Sequence, residues 1–578
     1  MKKDSLDITL QERFKFYDHD KGMIYEDVPK WSPEGGSGYH SRLSGRVHKV
    51  RETTSFASLV YMLEKTDMMP YAERILKNVI AAQDKDVDSP TYGLWAYHFE
   101  ENFKTMLAPD YNWANFIGNH LIYILKKRPQ YIDEKLKAEM LEAIKAAVIC
   151  TLKRNVSPDY TNISMMSSVT LVGAAELLGD NELMTKAKKR LKKVYDYNIF
   201  SENFSEYNSP TYTFLAMEEL VMLDNLCEEK ECRQWVGELL RLEWKSVLGH
   251  YDKARHQLCP PHSRAYSNFI KSHFIEQWIY AGTDGEHGEM GDGNLRLFRM
   301  DVNLPDDMLK AATEPRTPSY IAETFYKENS IRSDDEDYVI IRYGDCPDLT
   351  AYSYITDDYS MGAFAKTDLW VQRRTNMIYW GKEDDVKCIR LRGMETDSDY
   401  SSAMSYSAMY NNTILGTAGF VTDHGKYHYI LDNKYGSILK TNKLFFCFEA
   451  SANSVKVEDI KITQEENKFV VSDGDIRIYI NIIDAVFDGS KLIPQINGNR
   501  IEIVCYDDGR EVDFAKVKDS YMVYTMSVGE EADVPSVSVA DGYVAASVNK
   551  EDKKLDILSP SIPIRYIDAL KTSVITVE

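Results

Sequence analysis

Residues 133–155, DEKLKAEMLEAIKAAVICTLKRN, place Leu136, Met140, Ala143, Ile144, Ala147 and Cys150 at steps of three and four, which puts them on one face of a helix. The same spacing recurs over 55–66, 70–83, 112–127, 163–179, 182–197, 211–226, 231–251 and 265–282, with stops at Gly179-Asp180, Ser209-Pro210, Pro260-Pro261 and Gly282. After about residue 335 the texture changes. DYVIIRYG (337–344), DLWVQRRTNMIYWG (368–381), KYHYILDN (426–433), NKLFFCFEA (442–450), KFVVSDGDIRIYINII (468–483), NRIEIVCYD (499–507) and DSYMVYTMSV (519–528) are short, β-branched and aromatic, and broken by turn residues. Repeated short strands of this kind predict an antiparallel sandwich. The reading is a helical half, a Gly-, Asp- and Pro-rich connection over 283–335, and a β half.

The chain has 578 residues, with 69 basic and 90 acidic side chains, a net charge of −21 that argues against a general nucleic-acid binder. The 44% hydrophobic content suits a folded chain with sizeable cores rather than a disordered one. The opening MKKDSLDITLQERFKF has neither the apolar run nor the cleavage site of a secretory signal, and no window approaches about 18 uninterrupted apolar residues. The eight cysteines are scattered without CxxC pairs, as free thiols in a reducing compartment would be. The expectation is a cytoplasmic protein without a membrane span. An acidic surface leaves a homodimer open.

Helical hairpin arrays need only short connections. Here 34–53, 88–111, 155–162, 200–212 and 259–267 are long and carry ionisable and aromatic residues together, the composition of binding loops. Asn162 and Tyr212 each open an expected helix after such a loop. A tyrosine beside a neutral amide suits β-elimination at a uronic acid: hydrogen-bond donors neutralise the carboxylate, a base removes the C5 proton, and an acid protonates the departing O4. Helix capping by Asn162 and a wall position for Tyr212 are the plainer alternatives. In PPHSRAYS (260–267), His262, Arg264 and Tyr266 alternate along an extended segment and share one side, with Arg264 suited to grip a carboxylate and His262 to move a proton.

The order of a helical half and then a β half resembles the heparinase II/III and alginate lyase superfamily. SEYNSPTYTFLAMEEL (205–220) is similar to the family segment whose Ser-Pro-x-Tyr tyrosine is the catalytic acid/base, which points to Tyr212. Asn162 matches the carboxylate-neutralising Asn by its upstream spacing, and DLWVQRRTNMIYWG resembles an early strand region of the family's β domain. The resemblance implies an α+β, multidomain chain. Its first domain is an (α/α) toroid over 1–325, either incomplete or a six-hairpin barrel, and its second an antiparallel β-sandwich over 326–578. It further implies a lyase acting on anionic, uronate-containing oligosaccharides. Two departures stand out. Asn162 is followed by Ile163 and Ser164 where many members have His, and the β-domain His or Tyr could only be His424, Tyr427 or His428.

Related (α/α) barrels also house glycoside hydrolases, which need a carboxylate pair. Glu206 with Asp110 is the candidate pair, and Glu286, Glu289 and Asp292 are further acids. A sugar-binding scaffold without turnover is a third reading. Trp113, Tyr266, Tyr207 and Asn208 are candidate sugar contacts. His40, Arg42, Arg46, His48 and Arg51 are candidate anion contacts, or else an arm pinned to an acidic surface. No catalytic metal or nucleotide cofactor is expected, since neither a P-loop nor HExxH is present. A structural divalent ion near His287 is left open, although Gly-rich acidic turns are commonly just solvated loops.

Overall fold

The computed structural model describes residues 10–29, 41, 43–101, 103, 106, 109–271, 273–290, 300–316, 318–327, 346–382, 385–423, 436–454 and 460–578. Its helical half comprises α1 (Val50–Met62), α2 (Met69–Ala81), α3 (Trp113–Lys127), α4 (Glu134–Arg154), α5 (Thr161–Leu178), α6 (Asn181–Ser201), α7 (Tyr212–Leu226), α8 (Lys230–His250) and the shorter α9 (Phe274–Gly282). Asp133 caps α4 by accepting from the N–H groups of Lys135 and Leu136, and Asn155 closes it in the left-handed conformation, so the amphipathic stretch becomes a helix of nearly its full length.

α1, α3, α5 and α7 pack successively against one another, and each carries its hairpin partner α2, α4, α6 or α8. α5 is buried without a break from Thr161 to Ala175, whereas α4 and α6 are buried along one stripe. That contrast marks an inner and an outer layer. Among the described residues this is a toroid of four hairpins, the incomplete form. The links within hairpins are short (63–68, 128–133, 179–180, 227–229), and three of those leading on from a hairpin are longer (82–112, 202–211, 251–273), while 155–160 is as short as the links within hairpins. The long loops therefore gather where the inner helices begin, and the positive ends of those helix dipoles face the same region.

Two expectations shift. α1 starts five residues before Ser55, and the helix expected over 265–282 starts only at Phe274. Residues 262–265 are drawn out against the β half instead: His262 N donates to Arg374 O (2.8 Å), Arg374 N to His262 O (3.0 Å) and Ala265 N to Gln372 O (2.7 Å). Tertiary hydrogen bonding here overrides helical periodicity.

In the β half, β1 (Ser319–Tyr326), β2 (Leu349–Ile355), β3 (Tyr359–Phe364), β4 (Met377–Trp380), β5 (Lys387–Glu395), β6 (Leu444–Ala452), β7 (Pro494–Asn497) and β8 (Arg500–Tyr506) form one antiparallel sheet in the order β7-β8-β6-β5-β4-β3-β2-β1, with Ser398–Asp399 paired to β5. An eight-stranded sheet built around Thr413–Phe420, Ser520–Val528 and Ile476–Phe487 faces it, and Trp380, Ile389, Leu391, Phe446, Phe448, Ile480, Met522 and Tyr524 share the core between them. A four-stranded sheet from Ser536 to Val577 packs on Ala403–Tyr410. The chain is thus α+β, with helices first and antiparallel sheets after. The strands expected at 337–344 and 426–433 lie outside the described residues. Among the described residues no helix is long and apolar enough to cross a membrane, and all eight cysteines are free.

Candidate active site

Ser209 sets the start of α7. Its Oγ accepts from Tyr212 N (3.0 Å), and its own N–H donates to Thr213 Oγ1 (3.0 Å), a reciprocal cap that fixes Tyr212 on the first turn. The same Oγ donates to Arg264 O (2.5 Å), so one serine joins the start of α7 to the 259–266 loop. At the neighbouring helix start, Glu206 Oε2 accepts from both N (2.8 Å) and Nδ2 (2.6 Å) of Asn162 in the first turn of α5, where a carboxylate meets the positive end of the helix.

Arg264 completes the cluster. Nη1 donates to Glu206 Oε1 (2.8 Å), Nη2 to the Tyr212 hydroxyl (2.9 Å) and Nε to Gln372 Oε1 from the β half (3.1 Å). Its guanidinium carbon lies 3.9 Å from the Tyr212 ring centroid, with Trp370 and Tyr160 at 5.7 and 5.9 Å. The Tyr212 and Tyr266 hydroxyls are hydrogen-bonded to each other. Tyr266 is 56% exposed and Tyr212 9%, so the cluster opens to solvent through Tyr266 while its base is enclosed.

Burial pushes the Tyr212 phenol above its ordinary range. The Arg264 charge opposes that, and Tyr266 and Glu206 reinforce it, so Tyr212 is protonated at rest. Burial likewise opposes the charge on Arg264, but Glu206 and the surrounding tyrosines outweigh it and hold the guanidinium charged. Glu243 of α8 feels the charge of Glu206. Burial first, and then that charge, push its carboxyl well above the usual range, and neither of its oxygens finds a hydrogen-bond partner among the described residues. Asn162 Oδ1 is likewise enclosed without a partner.

The structure thus brings together Tyr212, Arg264, Glu206, Asn162 and Tyr266. His262 departs from the shared side expected of it. Its Nδ1 lies 2.8 Å from Asn208 O and donates there, leaving Nε2 enclosed without a partner. Burial drives the His262 pKa down to about 3, partly offset by the Asn208 carbonyl and reinforced by Arg374 and His250. Asn208 Nδ2 holds Cys259 O (2.6 Å) and Pro261 O (3.0 Å). Tyr207 is buried between the halves, its hydroxyl 2.8 Å from His250 Nε2 and 3.0 Å from Glu323 Oε2. Trp113 is buried in the helical core against Tyr97. Asp110 Oδ1 accepts from Asn112 N (2.9 Å) at the start of α3.

The N-terminal basic residues have local partners. His48 bonds Glu100 through Nδ1 and lies 3.3 Å from Asp18 through Nε2. Arg46 sits over the Tyr25 ring (3.9 Å) and Arg51 over the Phe116 ring (3.8 Å). His40, Arg42, Asp292, His424, Tyr427 and His428 lie outside the described residues. His273 Nδ1 lies 2.8 Å from Glu289 Oε2, and no group of three or more His, Cys, Asp or Glu among the described residues could hold a metal ion. Sequence reasoning missed Tyr160 and Trp370, which lie inside quoted stretches, Gln372, 108 residues from the Arg264 it touches, and Glu243, one acid among many on a helix.

A family model described as "Domain of unknown function (DUF8769)" matches residues 19–290. No curated protein matches the chain. Among solved structures the chain is similar to a crystal structure of heparinase III, at 11% identity and a TM-score of 0.47, over 97% of this chain and 91% of that one. It is also similar to a second heparinase III structure, with methylated lysines, at 9% identity and a TM-score of 0.36, over 92% and 83%.

Proposed function

We propose that the protein is a carbohydrate-active enzyme that cleaves uronate-containing oligosaccharides by β-elimination, with Tyr212 moving the proton. The observation that carries this reading is the Tyr212 hydroxyl, held between the Arg264 guanidinium at 2.9 Å and the exposed Tyr266. A phenol protonated at rest gives its proton to the departing O4 and takes up the C5 proton. The C5–H and C4–O4 bonds break, the C4–C5 double bond forms, and Tyr212 ends as it began. Arg264, charged and in contact with the phenol, stabilises the negative character that passes through its oxygen. Asn162, held by Glu206 in the first turn of α5, is assigned to the substrate carboxylate, which the positive end of that helix favours.

In this reading Glu206 positions Arg264 and Asn162, since both its oxygens are taken by them. The helical half supplies the reacting groups, and the β half, which begins with β1 at Ser319, supplies Gln372. The steps draw only on side chains of this chain. A cytoplasmic setting fits oligosaccharides small enough to be imported.

The test is turnover of uronate oligosaccharides by the intact chain, followed through the ultraviolet absorbance of the conjugated unsaturated uronate alongside new reducing ends. Tyr212→Phe is expected to lower turnover by about 10²–10⁴-fold, the range for loss of a proton-transfer group. Near-normal turnover in that variant refutes the assignment. Reducing ends without absorbance would mean hydrolysis, and binding without either would mean a scaffold.

A further inference from the structure

On the outer face of β5, side chains alternate so that Arg390 and Arg392 point away from the sandwich core occupied by Ile389 and Leu391. Arg392 is fully paired. Its Nε and Nη2 donate to Asp399 (2.9 and 2.8 Å) and its Nη1 to Glu449 Oε2 (2.6 Å). Glu449 Oε1 is taken by Arg500 Nε (2.7 Å). All four oxygens of the two carboxylates are thereby occupied.

Two further guanidiniums, Arg390 of β5 and Arg374 of the loop before β4, act electrostatically on Asp399. Arg390 is only 5% exposed, and its side chain makes no hydrogen bond or ion pair among the described residues, its Nε being enclosed. Arg374 is also 5% exposed. Its Nη1 reaches the carbonyls of Val371 (2.8 Å) and Arg373 (3.0 Å), and its Nε is enclosed without a partner. The four arginines 374, 390, 392 and 500 thus face two carboxylates. Burial, and then repulsion from Arg390, hold Arg374 down to about 9, and burial lowers Arg390 from its ordinary value as well. Asp399 attracts both guanidiniums, but its oxygens are already bound by Arg392; a buried cation without a counter-ion of its own is costly, and a bidentate oxyanion is a natural one.

The pair adjoins the candidate active site. Arg374 is hydrogen-bonded through its backbone to His262, and two residues earlier Gln372 accepts from Arg264. We propose that Arg374 and Arg390 form an oxyanion-binding subsite, occupied in the working enzyme by the carboxylate of a second uronate beside the one being cleaved. Naming that anion as a uronate rests on the reading above. The oxyanion site itself does not.

The test uses the intact chain and its variants Arg390→Gln, Arg390→Lys and Tyr212→Phe. Binding of glucuronate, inorganic sulfate and neutral glucose is measured by titration, and the thermal midpoint is recorded without ligand. Wild-type protein is expected to bind glucuronate saturably and not glucose. Arg390→Gln should weaken this roughly tenfold or more, as loss of a charge-assisted fork requires. Arg390→Lys should keep part of the affinity, and Tyr212→Phe all of it. Without ligand, Arg390→Gln should hold or raise the thermal midpoint, because it removes an unpaired buried charge, whereas a purely structural arginine would lower it. Sulfate binding without glucuronate binding overturns the uronate and keeps the oxyanion site. Absence of any saturable anion binding, or unchanged affinity in Arg390→Gln, overturns the proposal. Anion binding by a protein that never generates unsaturated product would sink the elimination reading alone.

Discussion

Glu206→Gln is the change that most directly probes how the candidate site is held together. The carboxylate accepts from Arg264 Nη1 at 2.8 Å on one oxygen and from Asn162 N and Nδ2 at 2.8 and 2.6 Å on the other. A glutamine offers one oxygen and one NH₂, so either Arg264 or the two Asn162 donors must face another donor, whichever way the amide turns. The Arg264 and Glu206 side chains are 14% and 7% exposed, so solvent screens the pair little. Removing one partner of such a pair costs about 3–5 kcal/mol because the other charge stays buried. Urea unfolding, taken as the shift in midpoint multiplied by the slope, reads that loss. A double-mutant cycle with Arg264→Gln should return a coupling of about 2 kcal/mol or more. Turnover should fall by roughly 10²-fold, as a misplaced Arg264 no longer fixes the Tyr212 hydroxyl. A loss under about 1 kcal/mol with additive single mutants would mean that the pair behaves like an exposed one, and the positioning role of Glu206 would be refuted.

Two further outcomes can be checked by the same unfolding assay. A Cβ on Gly362 of β3 would lie 1.9 Å from Pro260 O, so Gly362→Ala should push the 259–266 loop, cost about 1–3 kcal/mol and lower turnover. Gly237, exposed on α8 with nothing near its Cβ direction, should instead gain up to about 1 kcal/mol as alanine, and equal effects at both positions would contradict this contrast. His262 is held neutral down to about 3 in the folded chain against an ordinary 6.5. The unfolded chain therefore binds the extra proton in that window, and stability falls as pH drops from 6.5 towards 3, by about 1.4 kcal/mol per unit at most. His262→Gln should lose that share of the slope, and identical slopes in the two proteins would count against it.

The helices were legible where local and global demands agree. The 133–155 stretch became α4 almost whole because its stripe, its cap and its burial coincide. The stretch over 265–282 misled because its first residues hydrogen-bond to strand-like partners at 372 and 374, a demand that no local period records. That loops rich in ionisable and aromatic residues precede the inner helices was readable from loop length and composition alone. Which loop residues meet was not. Alternation along 262–266 put His262, Arg264 and Tyr266 on one side, yet His262 is captured by the Asn208 carbonyl while the other two reach Tyr212. Aromatic content did not separate open rings from enclosed ones: Trp113 and Tyr207 are enclosed, while Tyr266 is open. The Arg374–Arg390 pair also escaped, because surplus charge becomes visible only when every neighbouring carboxylate has been assigned.

An anionic substrate would have to approach a chain of net charge −21. At long range that charge repels it. At short range, Arg264, the Arg374–Arg390 pair and the dipoles of the inner helices attract it. The two fields respond differently to salt. Screening acts over about 30 Å at 0.01 M and about 10 Å at 0.1 M, so moderate salt removes the distant repulsion first, while partly buried contacts are screened much less. kcat/KM for a uronate oligosaccharide should therefore rise as ionic strength increases from about 0.01 to about 0.1 M and fall only at higher salt, when the local contacts weaken. An enzyme with a broadly basic surface would lose activity from the first addition of salt, through lost steering. A monotonic fall for this protein would mean that its substrate feels attraction at every distance. The local positive groups would then not be acting against the net charge in the way proposed.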